Sequence, residues 1–502
     1  MNPLFSWWRA VGACLGMVLF CGGCAQDAPE DHDGLREDCG EVPALQTLQL
    51  RIDGSDFVDA DGRRVLLRGV NAGGRSKYPP FFPFAFQESG YPGQESALPF
   101  DAAAEKYVQQ VADWGHNVVR LPFSWEAVEP TRGVYDEQYI TRLNRFIAAF
   151  GAHDIRVILE FHQDVFARTY CGDGFPLWAT SDPDRAIPPI EACGDWFKAY
   201  LNKNNEVAEE FQRFWTNEDG LQDALMAMWE HMLRATLVHD HLIGVEVMNE
   251  PWEGALSTED WAENYMKPLV ERFADLVHEV RSDLVVFFGS AGTDTLTGET
   301  VVHRPDREHV AFAPHFYDPV VYVTGTKSRR WDPHRVLKNF FATAQEWNVP
   351  ILIGETGCRT AIEHCDAYTR ATFAAYDVYP MHATAWEYST TEDDWNNEGY
   401  RLTGPDGEES SAIDETVRVY PAALAGTDVT FVYDRKEDRA ELAFTASANT
   451  WSEIVVPERR YTDGFRLEST GAAHCATYDK ASQRLWVRAD EDGELRLTLT
   501  PR

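Results

Sequence analysis

Basic residues are scarce in this chain of 502 residues: 45 Lys and Arg stand against 81 Asp and Glu, a formal net charge of −36. Phosphate backbones would be repelled, so no nucleic-acid partner is expected. Long hydrophobic runs are also missing. The mostly apolar stretch 11–23 is far too short to span a bilayer. Beyond residue 24 no CxxC pair and no histidine cluster has zinc-site spacing, so no catalytic metal is expected, and no other cofactor is called for. No glycine-rich phosphate loop follows the first strand candidate, which argues against a doubly wound nucleotide-binding sheet.

Hydrophobic residues make up 44% of the chain, enough for one large core and a smaller one. Aromatics reach 13%, with 16 Trp, a supply that suits sugar stacking and core packing alike. Residues 1–24 read as an export signal: Arg9 precedes the apolar stretch. Its ending, Leu19-Phe20-Cys21-Gly22-Gly23-Cys24, resembles a bacterial lipoprotein signal. That resemblance implies an acylated Cys24 and a cell-envelope location with membrane attachment; secretion without lipid is the alternative. Residues 25–44 form an acidic tether. Six cysteines remain (Cys39, Cys171, Cys193, Cys358, Cys365 and Cys475), an even number that suits disulfides in an exported chain. The nearest pairs are Cys171–Cys193 and Cys358–Cys365.

Between these ends the hydrophobic pattern alternates. Strand-like runs lie at 65–71, 117–122, 155–161, 243–249, 284–289, 310–314, 350–355 and 382–387. Helical spacing separates them, as in Ile140, Leu143, Phe146, Ile147 and Phe150. Eight strands alternating with helices predict an α/β fold, a (β/α)₈ TIM barrel over residues 45–400. Residues 401–502 change character, with short strand candidates at 429–433, 440–445, 451–456 and 495–500 and no long helix, and predict a small C-terminal β-sandwich. Two long loops, 72–100 and 162–204, would shape the binding face. The first carries four Phe and three Pro within residues 79–86. Phe81, Phe82, Phe84 and Phe86, with Phe175 and Trp178 opposite, would either present an apolar patch or fold inward as a plug.

Two strand candidates end in a carboxylate. Ile243-Gly244-Val245-Glu246-Val247-Met248 runs into Asn249-Glu250-Pro251-Trp252, where Pro251 cannot donate a backbone hydrogen bond. Ile351-Leu352-Ile353-Gly354 runs into Glu355-Thr356-Gly357. On the strand count these glutamates end strands four and seven, on the face where barrel enzymes carry their chemistry. Each at a strand's end, they are the parts needed for glycoside hydrolysis. Arg120, at the end of strand two, would lie beneath Glu355 and keep it ionised. Asn249 is placed to bond a sugar 2-hydroxyl, and Trp386, ending strand eight, to stack on a pyranose.

Asn249-Glu250-Pro251 followed by Gly354-Glu355-Thr356-Gly357 resembles glycoside hydrolase family 5, a retaining group of clan A. Arg68-Gly69-Val70-Asn71, Ser76-Lys77-Tyr78-Pro79-Pro80, His162-Gln163-Asp164-Val165 and 420–427 narrow the resemblance to the endoglycoceramidases. It implies that Glu250 is the acid/base and Glu355 the nucleophile of a double displacement. It further implies that His162 and His315 line the first sugar subsite, that Tyr317 bonds the nucleophile, and that Lys77 and Asp164 bind glycan hydroxyls. The substrate so implied is a glycosphingolipid; no protein partner is. An endo-β-glycanase of the cellulase or mannanase type is the alternative enzyme, and a surface glycan-binding protein without turnover the alternative class.

Overall fold

The computed structural model describes residues 34–35, 39–42, 44, 47–90, 98–236, 238–290, 292–324, 332–391, 395–404 and 407–502. The expected export signal, with Cys24, and most of the tether lie outside the described residues.

Eight parallel strands form the barrel: β1 (Arg68–Asn71), β2 (Val118–Phe123), β3 (Arg156–Phe161), β4 (Leu242–Glu246), β5 (Val285–Gly289), β6 (Val310–Ala313), β7 (Leu352–Ile353) and β8 (His382–Ala385). They pair in the order β7-β8-β1-β2-β3-β4-β5-β6. A parallel bridge from Phe312 to Ile351, with the Phe312 amide 2.9 Å from the Pro350 carbonyl, joins β6 to β7 and closes the ring. Every residue of β2 and β3 is buried, as expected where helices cover one face of a parallel sheet and barrel side chains fill the other. Glu160 in β3 and Glu246 in β4 are both fully buried. Such residues need buried partners, and the partners turn out to be at the active site.

The C-terminal strands are β9 (Tyr420–Leu424), β10 (Gly426–Asp434), β11 (Arg439–Ala446), β12 (Trp451–Val455), β13 (Phe465–Gly471), β14 (His474–Asp479), β15 (Arg484–Ala489) and β16 (Gly493–Pro501). One sheet has the order β10-β11-β16-β13; the other joins β9, β12, β15 and β14 to three short strands, Arg51–Asp53, Asp56–Val58 and Arg64–Val65. These three fall in the interval assigned to the barrel, and Val65, expected to open barrel strand one, pairs with Ala423 of β9. The sheets meet over Ile454, Leu485, Val487, Phe444 and Leu497, so the sandwich has its own core. Phe57 reaches from it to the lower end of the barrel, its ring 4.7 Å from His382 and 6.0 Å from Phe287. The lower end is thereby filled, and the upper end is left for chemistry.

Of the two alternatives for the phenylalanine segment the structure takes the inward plug, and the surface patch falls: Phe82, Phe84 and Phe86 are buried with Phe100 and Phe146. Burying these rings against the helices Phe100–Asp113 and Glu137–Gly151 removes far more apolar surface from water than a rim would. Phe175 is likewise in the core, stacked 4.0 Å from Phe166, and Trp178 packs against Trp125. Phe84→Ala should therefore cost about 3–5 kcal/mol of stability, read by denaturant unfolding; a change in lipid preference at unaltered stability would contradict the plug. Cys358 and Cys365 are not bridged: both are buried thiols, and the Cys365 Sγ donates to the Cys358 carbonyl at 3.3 Å. Among the described residues the disulfides are Cys171–Cys193 and Cys39–Cys475, the latter tying the start of the described chain to β14.

Candidate active site

The last ladder residues of β4 and β7 are Glu246 and Ile353, and the two glutamates of interest stand just beyond them. Glu250 sits in a turn with φ +34°, the left-handed region that non-glycine residues adopt at a cost. The Gln163 side-chain amide holds that turn by donating to the carbonyls of Asn249 at 2.9 Å and Glu250 at 3.2 Å. Glu355 is fixed from the segment just beyond β6, through the Phe316 amide on its carbonyl at 2.9 Å. One oxygen of each glutamate and a ring nitrogen of His315 lie within 4.8 Å of one another. Carboxylates whose nearest oxygens approach this closely suit two groups acting on one bond with retention.

Arg120, fully buried, organises the floor. Its guanidinium donates to Glu355 Oε1 at 2.9 Å, Glu246 Oε2 at 2.9 Å, Asn71 Oδ1 at 3.0 Å and Asn249 Oδ1 at 3.0 Å, and lies 3.3 Å from Glu160. The other Glu355 oxygen accepts from the Tyr317 hydroxyl at 2.9 Å. Burial alone would raise the Glu355 carboxyl, but His315 and Arg120 outweigh it and hold the group below the ordinary glutamate value. Burial and the neighbouring Glu355 push the Tyr317 hydroxyl well up, so it stays a donor. His315 Nδ1 lies 2.8 Å from Glu250 Oε1 and 3.5 Å from Glu355 Oε2. Burial disfavours its charged form; Glu355 and Glu250 overcome that and raise its pKa. Burial pushes the Glu246 carboxyl up, opposed by Arg120 and reinforced by Glu160.

The remaining predicted residues adjoin this cluster. His162 pairs through Nδ1 with Glu160, lies 3.4 Å from Asp164 through Nε2, and stacks on Trp386 at 5.2 Å. Lys77, 1% exposed, donates to Asp164 at 2.6 Å and to Glu398 at 3.0 Å. Its ammonium stands 3.9 Å from the Trp395 ring centre and 4.6 Å from that of Trp386. Trp386 Nε1 donates to the second Glu398 oxygen at 3.1 Å. Burial raises the Glu398 carboxyl to about 7, against the pull of Lys77. All ten predicted residues thus lie in one connected network at the upper end of the barrel.

Sequence reasoning missed Glu160, Glu246 and Glu398. The first two had a signal: each is the one carboxylate in a buried strand, and such a group demands a buried cation. Glu398 lies in irregular chain beyond β8 and carried none.

A cavity of about 490 Å³ opens above these groups, a normal size for a ligand site. Its lining is of two kinds: buried polar groups, Lys77, Asp164 and Glu398, with Trp386, and apolar side chains, Phe197, Leu201, Leu296 and Pro319, of which Leu201 is 76% and Leu296 50% exposed.

A family model described as "Cellulase (glycosyl hydrolase family 5)" matches residues 77–392, and one for the "Glycoside hydrolase family 5 C-terminal domain" matches residues 418–499. The chain is 27% identical over 480 residues to endoglycoceramidase I of Rhodococcus hoagii (strain 103S), covering 91% of this chain and 89% of that one. It is 24% identical over 453 residues to an endoglycoceramidase of Cyanea nozakii, covering 82% and 84%. In fold it is similar to the lactosyl-enzyme intermediate of endo-glycoceramidase II from Rhodococcus sp., with TM-score 0.71 and 22% identity over 89% of this chain and 100% of that one.

Proposed function

This chain belongs to glycoside hydrolase family 5, and from that membership we propose that it releases the glycan head from a glycosphingolipid-like β-glycolipid. It is a retaining glycoside hydrolase. In the reading offered, ionised Glu355 attacks the anomeric carbon from below while Glu250 protonates the departing oxygen of the lipid alcohol. A glycosyl ester to Glu355 results. Water, losing its proton to Glu250, then attacks the same carbon and frees the sugar with its configuration kept. His315 and Arg120 hold Glu355 ionised, and Tyr317 helps to aim it. Asn249 is anchored through its Oδ1 on Arg120 and through its amide on the Gln163 carbonyl at 3.2 Å, and its second N–H serves the sugar 2-hydroxyl. Trp386 and His162 give the first sugar a flat wall, and Lys77 with Asp164 takes hydroxyls further in.

The observation that carries the glycolipid reading is the two kinds of lining that meet in the cavity. A glycan suits the buried charges of Lys77, Asp164 and Glu398, and an alkyl chain suits the apolar group of Phe197, Leu201, Leu296 and Pro319. This group replaces the phenylalanine segment as the lipid wall. Endoglycoceramidase activity in relatives such as that of Rhodococcus hoagii points the same way. A glycan-binding protein would have no use for both glutamates. The test compares a glycosphingolipid with the same glycan carrying a short β-alkyl group. Expected is a kcat/KM advantage of about tenfold or more for the long lipid, cut by Leu201→Ser and Leu296→Ser. No lipid advantage, or faster cleavage of a cellulose or mannan chain, would leave only the retaining glycosidase.

Two further features belong to this reading. The Cys39–Cys475 and Cys171–Cys193 bridges suit an oxidising compartment, in keeping with export. A lipid on Cys24, beyond the described residues, would hold the enzyme at a membrane where its substrate resides.

A further inference from the structure

Asp173 is fully buried beside this site and takes no part in the double displacement. The chain delivers it there by a close approach. The Cys171 sulfur is bridged to Cys193 and its carbonyl accepts from the Asn396 side-chain amide at 2.7 Å, so the turn is fixed at its start. Gly172, Asp173 and Gly174 then lie back against residues 162–165, with the Asp173 amide donating to the Asp164 carbonyl at 2.8 Å. Only glycine fits on either side: a Cβ at 172 would stand 2.0 Å from the Asp164 carbonyl oxygen, and one at 174 would stand 2.4 Å from that of His162. One Asp173 oxygen comes within 4.8 Å of a carboxylate oxygen of Asp164 and of a ring nitrogen of His162. Yet neither oxygen of Asp173 has a hydrogen-bond partner among the described residues.

The donors nearby are committed elsewhere. Lys77 donates to Asp164 and Glu398, and His162 faces Glu160 through Nδ1 and Asp164 through Nε2. The Tyr200 hydroxyl accepts from the Val165 amide at 2.7 Å. A buried carboxylate without a donor is costly, and a neutral carboxylic acid far less so. The two aspartates are pushed apart accordingly. Burial and the charge of Asp164 raise the Asp173 carboxyl well above the ordinary aspartate value, with Glu398 adding to them and Lys77 and His162 opposing. Burial would raise Asp164 too, but Lys77 and His162 outweigh it and hold that carboxyl below the ordinary value.

We propose that Asp173 is a positioning residue that works as a neutral acid, its O–H donating to the Asp164 carboxylate and holding it beside Lys77. Lys77 and Asp164 line the cavity, and Asp173 stands behind them. The inference rests on the reading of Lys77 and Asp164 as groups that take sugar hydroxyls, and adds the residue that sets their geometry.

The experiment measures kcat and KM on the full chain with an aryl β-glycoside of a disaccharide. Asp173→Asn should keep kcat/KM within about threefold, because a carboxamide is neutral and donates as the acid does. Asp173→Ala should raise KM about tenfold and change kcat less, the donor being lost. In an Asp164→Asn background the same Ala change should add no more than about twofold, since its effect passes through Asp164. An Asn variant that falls as far as the Ala variant would mean that the charge matters and not the proton, and overturns the proposal. So does an Ala variant with unaltered KM, or one whose effect is undiminished in Asp164→Asn. Thermal unfolding checks each variant. Should Asp173→Ala fail to fold, the infrared difference between wild type and Asp173→Asn at neutral pH decides: the carbonyl stretch of a protonated carboxyl is expected in the wild type, and its absence overturns the proposal. If Asp164→Asn itself leaves KM unchanged, the sugar-binding reading of that pair falls and the positioning role with it, while the infrared band still decides where the proton is.

Discussion

Glu355→Ala should lower kcat/KM by about 10⁴-fold or more, because the covalent half of the reaction loses its nucleophile. The fold should survive: the side chain is at the end of the short strand β7, and removing it relieves the crowding of carboxylates around Arg120. Azide can then enter the vacated space and attack the same face, giving an α-glycosyl azide from a β-glycoside. Glu250→Ala differs in kind. Its loss should cost about 10²–10⁴-fold on substrates whose leaving group needs a proton. An activated aryl glycoside needs none, so its first step should persist and azide should rescue the second step as a β-glycosyl azide. If the two rescue products exchange, the roles of the two glutamates are reversed.

Arg120→Met should be the most damaging change outside the two glutamates. It strips the only guanidinium from three carboxylates, Glu160, Glu246 and Glu355, and leaves the Asn71 and Asn249 carbonyl oxygens without their donor. An uncompensated buried charge of this kind costs about 3–5 kcal/mol. The pH profile gives a second readout. Glu355 is now held below the ordinary glutamate value against its burial, so the acid limb of kcat/KM should lie low. Without Arg120, burial meets only His315 among the two strongest opposing groups, and the acid limb should move towards neutrality. Arg120→Lys keeps a charge but cannot reach four acceptors from one planar fork. It should fall between the two in both stability and limb position. An acid limb unmoved in folded Arg120→Met would show that the guanidinium does not set the state of Glu355.

The barrel was legible because its strands are apolar on both faces, a pattern that open, one-sided sheets do not produce. The ends of those strands were less so. Glu250 and Glu355 stand beyond the last ladder bonds, and nothing in local periodicity separates a strand from the irregular turn that follows it. The phenylalanine-rich segment illustrates a deeper limit. Its composition tells that rings must be buried or presented, but the choice depends on Phe100, Phe146 and Tyr107, which come from helices later in the chain. Cys39 and Cys475 are 436 residues apart, so only the completed sandwich brings them together. Cys358 and Cys365 are near in sequence and remain thiols. Glu160 and Glu246 could have been found, since each breaks an apolar run and Arg120 was already expected on the next strand. The contact of Asn396 with the Cys171 carbonyl could not: the two stand 225 residues apart in the chain.

The central claim is that Glu250 and Glu355 work on one bond from opposite faces, with Glu355 forming a covalent glycosyl ester. Proton NMR of the anomeric region during the first minutes of turnover of a β-glycoside tests it most directly. The account predicts that the β-anomer of the released sugar is present first, with the α-anomer growing only at the rate of mutarotation. An α-anomer as the first product would mean direct attack by water and would contradict the account.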